Sequence, residues 1–339
     1  MFPTCFIIIC RRYHQSASHE NLDDLTSIVN CEFKKLTQYF RKNLLALHPK
    51  KTQFMVFSSK KIDPTNIRIV IDNNDVPIDD ALYNPQLVIP LSAINDRSEV
   101  PAIKFLGVYI DTNLNFKYHV KQVANKISKA LYFIRTAKSF LTLPALKSLY
   151  YALIHCHLIY ALPIWSCTQL SNLNCLILLQ KKAIRLVTLS KYNDHTEPLF
   201  KKTEILPLPS LIEMTKIQVM HNFIQGFLPS TLMEEWELFI NHRQDQYYHL
   251  RNHKEVFTPF AITTFSERLP LTSFPKIWNA LGPKYQNNQK QALKQKLCQS
   301  KILFSNKNKS TIYLIPTISQ NYIFSGKKSP VCNFKQKFY

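Results

Sequence analysis

Apolar residues at Leu22, Leu25, Val29, Phe33, Leu36 and Phe40 recur every three or four positions, which puts them on one face of a helix from about Asn21 to Lys42. Three short runs rich in β-branched and aromatic residues, Gln53 to Phe57, Ile67 to Ile71 and Ile103 to Ile110, are predicted strands. Between the last two, Asn84 to Pro101 is bounded by proline and is expected to be an exposed loop. A helix lying on antiparallel strands is the arrangement this pattern implies.

After Asp111 the period changes to 3.6. A helix from about Lys117 to Phe140 would bury Val120, Val123, Ile127, Leu131 and Ile134. On the same wheel Lys117, Lys121 and Arg135 fall within about 40° of one another, beside the apolar face. Such a stripe suits a phosphate backbone, and it equally describes an ordinary solvated lysine face. Leu143-Pro144 opens a helix that is apolar nearly all round to Tyr160 and so is expected to be central and buried. Further helices are predicted over Asn172 to Thr188, Leu211 to Gln225, near Phe274 to Leu281, and over a polar stretch near Gln289 to Leu303. The expected fold class is α+β, with a helix-plus-sheet unit at 1–111, a helical unit at 112–230, a second helical region at 231–304 and a basic tail at 305–339.

The chain has 339 residues, 46% of them apolar, enough for a real core. Only four glycines occur, which excludes the phosphate-cradling loops of Walker or Rossmann type. A formal charge of +21 points to a polyanionic partner or an anionic surface, nucleic acid being the commoner. The charge is uneven: Arg268 to Tyr339 holds thirteen Lys/Arg and no Asp or Glu. That segment reads either as a binding element or as a solvated tail, and it permits a nuclear as well as a cytoplasmic location. Eight cysteines with no Cys-x-x-Cys pair are expected to be reduced, intracellular thiols. Phe2 to Cys10 is apolar but lacks the flanks of a signal peptide and is too short to span a bilayer, so a buried strand, or sequence foreign to the original reading frame, is expected there.

The block Asn43-Leu44-Leu45-Ala46-Leu47-His48-Pro49-Lys50-Lys51-Thr52, followed by Phe54-Met55-Val56-Phe57 and later by Lys104-Phe105-Leu106-Gly107-Val108-Tyr109-Ile110-Asp111, resembles the back of the palm of a non-LTR (jockey-like) retrotransposon reverse transcriptase. Tyr160 with Ile164-Trp165 resembles the thumb pattern of that family. Gln180 to Arg185, His195 to Phe200 with Ile205-Leu206, and Trp278-Asn279 resemble later blocks, all in order, over roughly Asn21 to Leu303. The resemblance implies a right-hand RNA-directed DNA polymerase whose thumb grips a primer–template duplex of RNA and DNA. It makes Lys117, Lys121, Arg135, Lys181, Lys182 and Arg185 the candidates for duplex contact, although the last three also suit compensation of a helix C-terminus.

Catalysis in that family uses carboxylates around two magnesium ions about 4 Å apart. Where the family carries its Tyr-Ala-Asp-Asp hairpin, this chain has Met1 to Arg12, without a carboxylate. No catalytic residue, no metal ligand and no cofactor are therefore expected in this chain, and it is expected to begin after the metal site. Asp23-Asp24 fits a helix pattern, and Asp79-Asp80, after an expected hairpin from Ile67 to Ile78, reads as turn residues. His242, His249 and His253 have helical spacing without a convincing third ligand, and His155 and His157 flank Cys156 on a helix expected to be buried. No small-molecule pocket and no membrane contact are expected. Two alternatives stand beside the polymerase reading. One is a free-standing basic RNA- or DNA-binding protein. The other is a non-functional mobile-element relic, whose exposed palm edge at Phe54, Val56, Phe105 and Val108 would aggregate.

Overall fold

The Asn21 side chain accepts the Asp23 N–H at 3.1 Å and starts the first helix, α1 (Leu22–Lys42), whose ends carry Asp23 and Asp24, and Arg41 and Lys42, each opposing the local helix dipole. The computed structural model of the chain describes residues 4–10, 13–19, 21–45, 47–48, 51–58, 67–72, 88–94, 101–230, 232–234, 236, 256 and 258–281. The fold is α+β, as expected. The predicted apolar stripe of α1 is largely the buried one: Leu25, Val29, Phe33 and Phe40 are fully enclosed, with Leu22 and Leu36 at the margin.

That stripe packs on strands. β1 (Thr4–Cys10) and β2 (Tyr13–His19) form an antiparallel hairpin with Cys10 opposite Tyr13, and β1 also pairs antiparallel with β3 (Gln53–Phe57). A two-residue parallel strand, β6 (Ser92–Ala93), closes the order β2-β1-β3-β6. Phe54 and Val108, expected at an exposed apolar edge, are buried, and Val56 and Phe105 are half-buried. The reason is that Phe54 packs against Leu25, Val29 and Phe33 of α1, while Val108 turns into the helical core.

Two strand expectations need correction. Ile67, Ile69 and Ile71 are buried in alternation as predicted, but the paired strand is β4 (Val70–Asp72), shifted toward the C-terminus. Its partner is β5 (Val88–Pro90), inside the segment expected to be a loop. The expected partner up to Ile78, and Asp79-Asp80, lie outside the described residues. The run Ile103 to Ile110 is a hairpin of β7 (Ile103–Phe105) and β8 (Val108–Ile110) around Leu106-Gly107, with φ of 44° and 88°. Two left-handed residues in a two-residue loop match the twist of the strands they join.

The helical part follows. α2 (Lys117–Ala137) buries every predicted core position. The expected central helix runs without a break from α3 (Leu143–Tyr150) through a π-turn at Tyr151–His155 into α4 (Cys156–Ile159), but only one face is enclosed: Tyr150, Ile154 and Leu158 are fully buried, while Leu143, Pro144, Ser148 and Ala152 are exposed. Next come α5 (Leu162–Trp165), α6 (Leu170–Val187), α7 (Thr196–Thr203) and α8 (Leu208–Ile224). One continuous core joins α2 to the first half of α8, and Val108 of β8 enters it. The second half of α8 packs through Ile217, Met220 and Phe223 on Phe274 and Trp278 of α10 (Pro270–Asn279), which follows the short α9 (Thr264–Arg268). The predicted helix near Gln289 to Leu303 and the basic tail lie outside the described residues. Among the described residues no helix is long and apolar enough to cross a membrane.

Candidate nucleic-acid interface

Asp111 sets the start of the basic helix. Its carboxylate accepts the Asn115 N–H at 2.6 Å and further backbone N–H groups at Phe116 and Lys117. Those groups are among the orphan donors at a helix N-terminus, so a carboxylate here completes the first turn of α2. Burial pushes the Asp111 carboxyl up, partly offset by these hydrogen bonds. Leu114 and Phe116 both adopt left-handed backbone, φ 51° and 52°, and the buried Phe116 ring helps hold that turn. The Thr168 hydroxyl donates to the Asn115 carbonyl at 2.5 Å and accepts from Asn172 Nδ2 at 2.9 Å, tying the start of α2 to the start of α6.

The residues of the KFLG block and of the Tyr and Trp positions, 54 residues apart, meet in one latch. The Tyr160 hydroxyl donates to the Leu106 carbonyl in the β7–β8 turn. A side chain at Gly107 would place its first carbon 3.2 Å from the Tyr160 ring, in a backbone region that favours glycine. The fully buried Trp165 donates its indole N–H to the Tyr160 carbonyl at 2.8 Å. The His119 ring meets Trp165 at a tilt of 55° with ring centres 5.5 Å apart, and its Nδ1 accepts the Tyr109 N–H at 3.3 Å. Burial, with the charge of Lys126, pushes its pKa down to about 4, so it sits neutral. Lys104 is exposed and lies 5.8 Å from the Tyr109 ring centre. Phe105 is half-buried beside the turn.

The remaining motif residues hold backbone. Asn43 caps α1, donating from Nδ2 to the Tyr39 carbonyl at 2.8 Å. Thr52 is buried and donates to the His48 carbonyl, while Lys51 beside it is exposed. Asn279 takes both backbone groups of Val256, at 2.7 and 3.0 Å, and Trp278 is buried against His221. Gln180, which opens the Gln180 to Arg185 block, is a hub whose role the sequence did not reveal: its amide donates to the Tyr150 hydroxyl and the Leu206 carbonyl and accepts from Leu208 N–H.

The cations divide by what they touch. Lys117, Lys121 and Arg135 are all exposed on α2, and Lys182 is exposed on α6 with Lys181 half-buried. Lys117 and Lys121 are one turn apart, whereas Arg135 stands about 21 Å beyond Lys121 along the axis. Arg185 is engaged locally. It is half-buried, donates from Nε to the Asp194 carbonyl at 3.0 Å and lies 5.9 Å from the Tyr192 ring centre, so it staples the α6–α7 loop. Among the described residues no ion pair involves Lys117, Lys121, Arg135, Lys181 or Lys182. The reason is compositional: residues 112–193 hold eleven Lys/Arg and no Asp or Glu. A count of acids along that window reveals it, and periodicity does not.

The exposed lysines and arginines of this surface are of the kind that neutralises phosphates. Cys156 donates to the Ala152 carbonyl and burial pushes its thiol up, so little thiolate forms. Strands β1 and β2 carry no carboxylate, so the residues there do not fit a divalent magnesium ion, whose ligands are oxygens. Asp23 and Asp24 are placed at the α1 N-terminus, with Asn21 Nδ2 donating to Asp24 at 3.1 Å. Among the described residues no group of three His, Cys, Asp or Glu is placed to hold a metal, and His242, His249 and His253 lie outside them. No family model, no curated protein and no solved structure matches this chain.

Proposed function

We propose that this chain is the palm-edge and thumb part of a non-LTR retrotransposon reverse transcriptase, that its helical region grips a primer–template duplex, and that it synthesises no DNA alone. The observation that carries the binding half is the carboxylate-free window at 112–193, whose exposed cations on α2 and α6 have no ion-pair partner among the described residues. In water such charge has one strong outlet, the release of counterions from a nucleic-acid backbone. The family half is supported by the ordered sequence blocks. It is also supported by the convergence of two of them, Lys104 to Gly107 and Tyr160 with Trp165, in one hydrogen-bonded latch. The inactivity rests on the order of those blocks, which would put the family's carboxylate hairpin at Met1 to Arg12, where the sequence has no carboxylate.

A second reading, a free-standing RNA- or DNA-binding protein, is favoured by that same hairpin, since binding needs no carboxylate. Primer extension with an RNA template, a DNA primer, deoxynucleotides and magnesium, run beside a binding titration on the same duplex, separates the cases. Tight duplex binding with no extension is expected. Extension by the purified chain would overturn the inactivity, and failure to bind the duplex would overturn both readings.

A further inference from the structure

The far end of α2 differs from its start. Tyr132, Phe133 and Phe140 are 68%, 61% and 85% exposed, while the apolar residues between them, Ile134 and Ala137, face inward or are half-covered. Tyr132 and Phe133 meet edge to face with ring centres 6.1 Å apart. Phe140 follows two turns after Phe133, in the turn that closes the helix, with its N–H on the Ala137 carbonyl. Around these rings stand Lys129, Arg135 and Lys138, all exposed, inside the window that has no carboxylate. Solvated aromatic rings this large are costly on a surface that only tracks a duplex backbone. Their faces suit unpaired bases, which stack on aromatic side chains whatever the sequence.

We propose that the C-terminal end of α2 is a stacking platform for single-stranded nucleic acid, with Tyr132, Phe133 and Phe140 taking unpaired bases and Arg135 and Lys138 taking the phosphates beside them. This deepens the proposed function and rests on the helical region being a nucleic-acid surface. It adds an unpaired strand to the duplex already assigned to it.

The test is fluorescence anisotropy of the full chain with an oligothymidylate about twenty nucleotides long and with a blunt duplex of equal length. Tyr132→Ala with Phe133→Ala is expected to weaken oligothymidylate binding about tenfold and to change duplex binding less than about twofold. Tyr132→Trp with Phe133→Trp, which keeps the stacking faces, is expected to restore binding, and Phe140→Ala alone to weaken it by about threefold to tenfold. All these residues are exposed, so an unchanged melting curve serves as the folding control. Unaltered oligothymidylate binding in both alanine variants, or equal loss on both ligands, overturns the platform. Wild-type protein that binds the duplex and not the single strand also overturns it, leaving the duplex reading standing. Binding of the single strand alone supports the platform and removes the duplex reading. A change in oligomeric state with normal oligonucleotide binding assigns the rings to a protein contact and overturns the platform.

Discussion

The α1 region and the α2–α6 region both bury a helix face on neighbouring elements, yet they handle charge in opposite ways. Around α1 the charges come in opposite pairs. Lys34 reaches Asp72 of β4 at 3.5 Å, and Lys35 bonds Glu32 at 2.7 Å. Residues 112 to 193 themselves include no acid, and a buried neutral histidine and a capping aspartate just before the window serve there as polar fasteners. Positive charge that α2 and the exposed Lys182 of α6 leave without an ion pair among the described residues is available to a ligand, whereas charge spent on a neighbouring element is not.

If the helical region is held by its latch rather than by charge, breaking the latch is the most damaging change. Trp165→Ala removes a fully buried ring and the hydrogen bond to Tyr160, and is expected to cost about 3–5 kcal/mol in denaturant unfolding. A loss under about 1 kcal/mol would mean the latch is peripheral.

Next in size is acid sensitivity. His119 has its pKa lowered to about 4 from an ordinary 6.5, so below pH 6.5 the unfolded chain takes up a proton that the folded chain does not. Stability from this group is complete above about pH 6.5, declines as pH falls, and levels off below about pH 4, a loss on the order of 3 kcal/mol. Asp111 opposes it, because burial raises its carboxyl and favours the protonated folded state as pH falls. The difference between wild type and His119→Gln at pH 7 and pH 4.5 isolates the histidine. A difference that does not change with pH would show that the folded ring accepts a proton freely.

The smallest effect belongs to the paired region. Lys34→Ala breaks a partly exposed ion pair and is expected to cost under about 1 kcal/mol, with no change in nucleic-acid affinity. A loss of affinity comparable to that of α2 variants would erase the distinction between the two regions.

What the sequence disclosed follows the same division. α1 and α2 were legible because each has one face against a core, so burial writes a period into the residues, whereas β3, with Phe54 and Met55 buried on opposite faces, was legible from its short apolar run. The alternation of Ile67, Ile69 and Ile71 reported burial correctly and pairing poorly, since hydrogen bonds to β5 begin only at Val70. The β7–β8 turn was invisible because Leu106, not Asn or Asp, occupies the first left-handed position, where the bond from Tyr160 secures its carbonyl. The π-turn at Tyr151–His155 left no mark in a stretch apolar on every side. Among the candidate cations, helical spacing placed Lys117, Lys121 and Arg135 on one exposed face but could not show that Arg185 is taken by the Asp194 carbonyl.

The central claim is that unopposed cations on α2 meet phosphates, and salt dependence measures that directly. Duplex affinity of wild type and of Lys117→Ala with Lys121→Ala should be titrated from low to physiological salt. Wild type is expected to lose affinity steeply as salt rises. The variant is expected to bind more weakly, with a log–log slope shallower by about 2, one for each phosphate contact removed. A wild-type affinity insensitive to salt, or a variant with the wild-type slope, would contradict the claim.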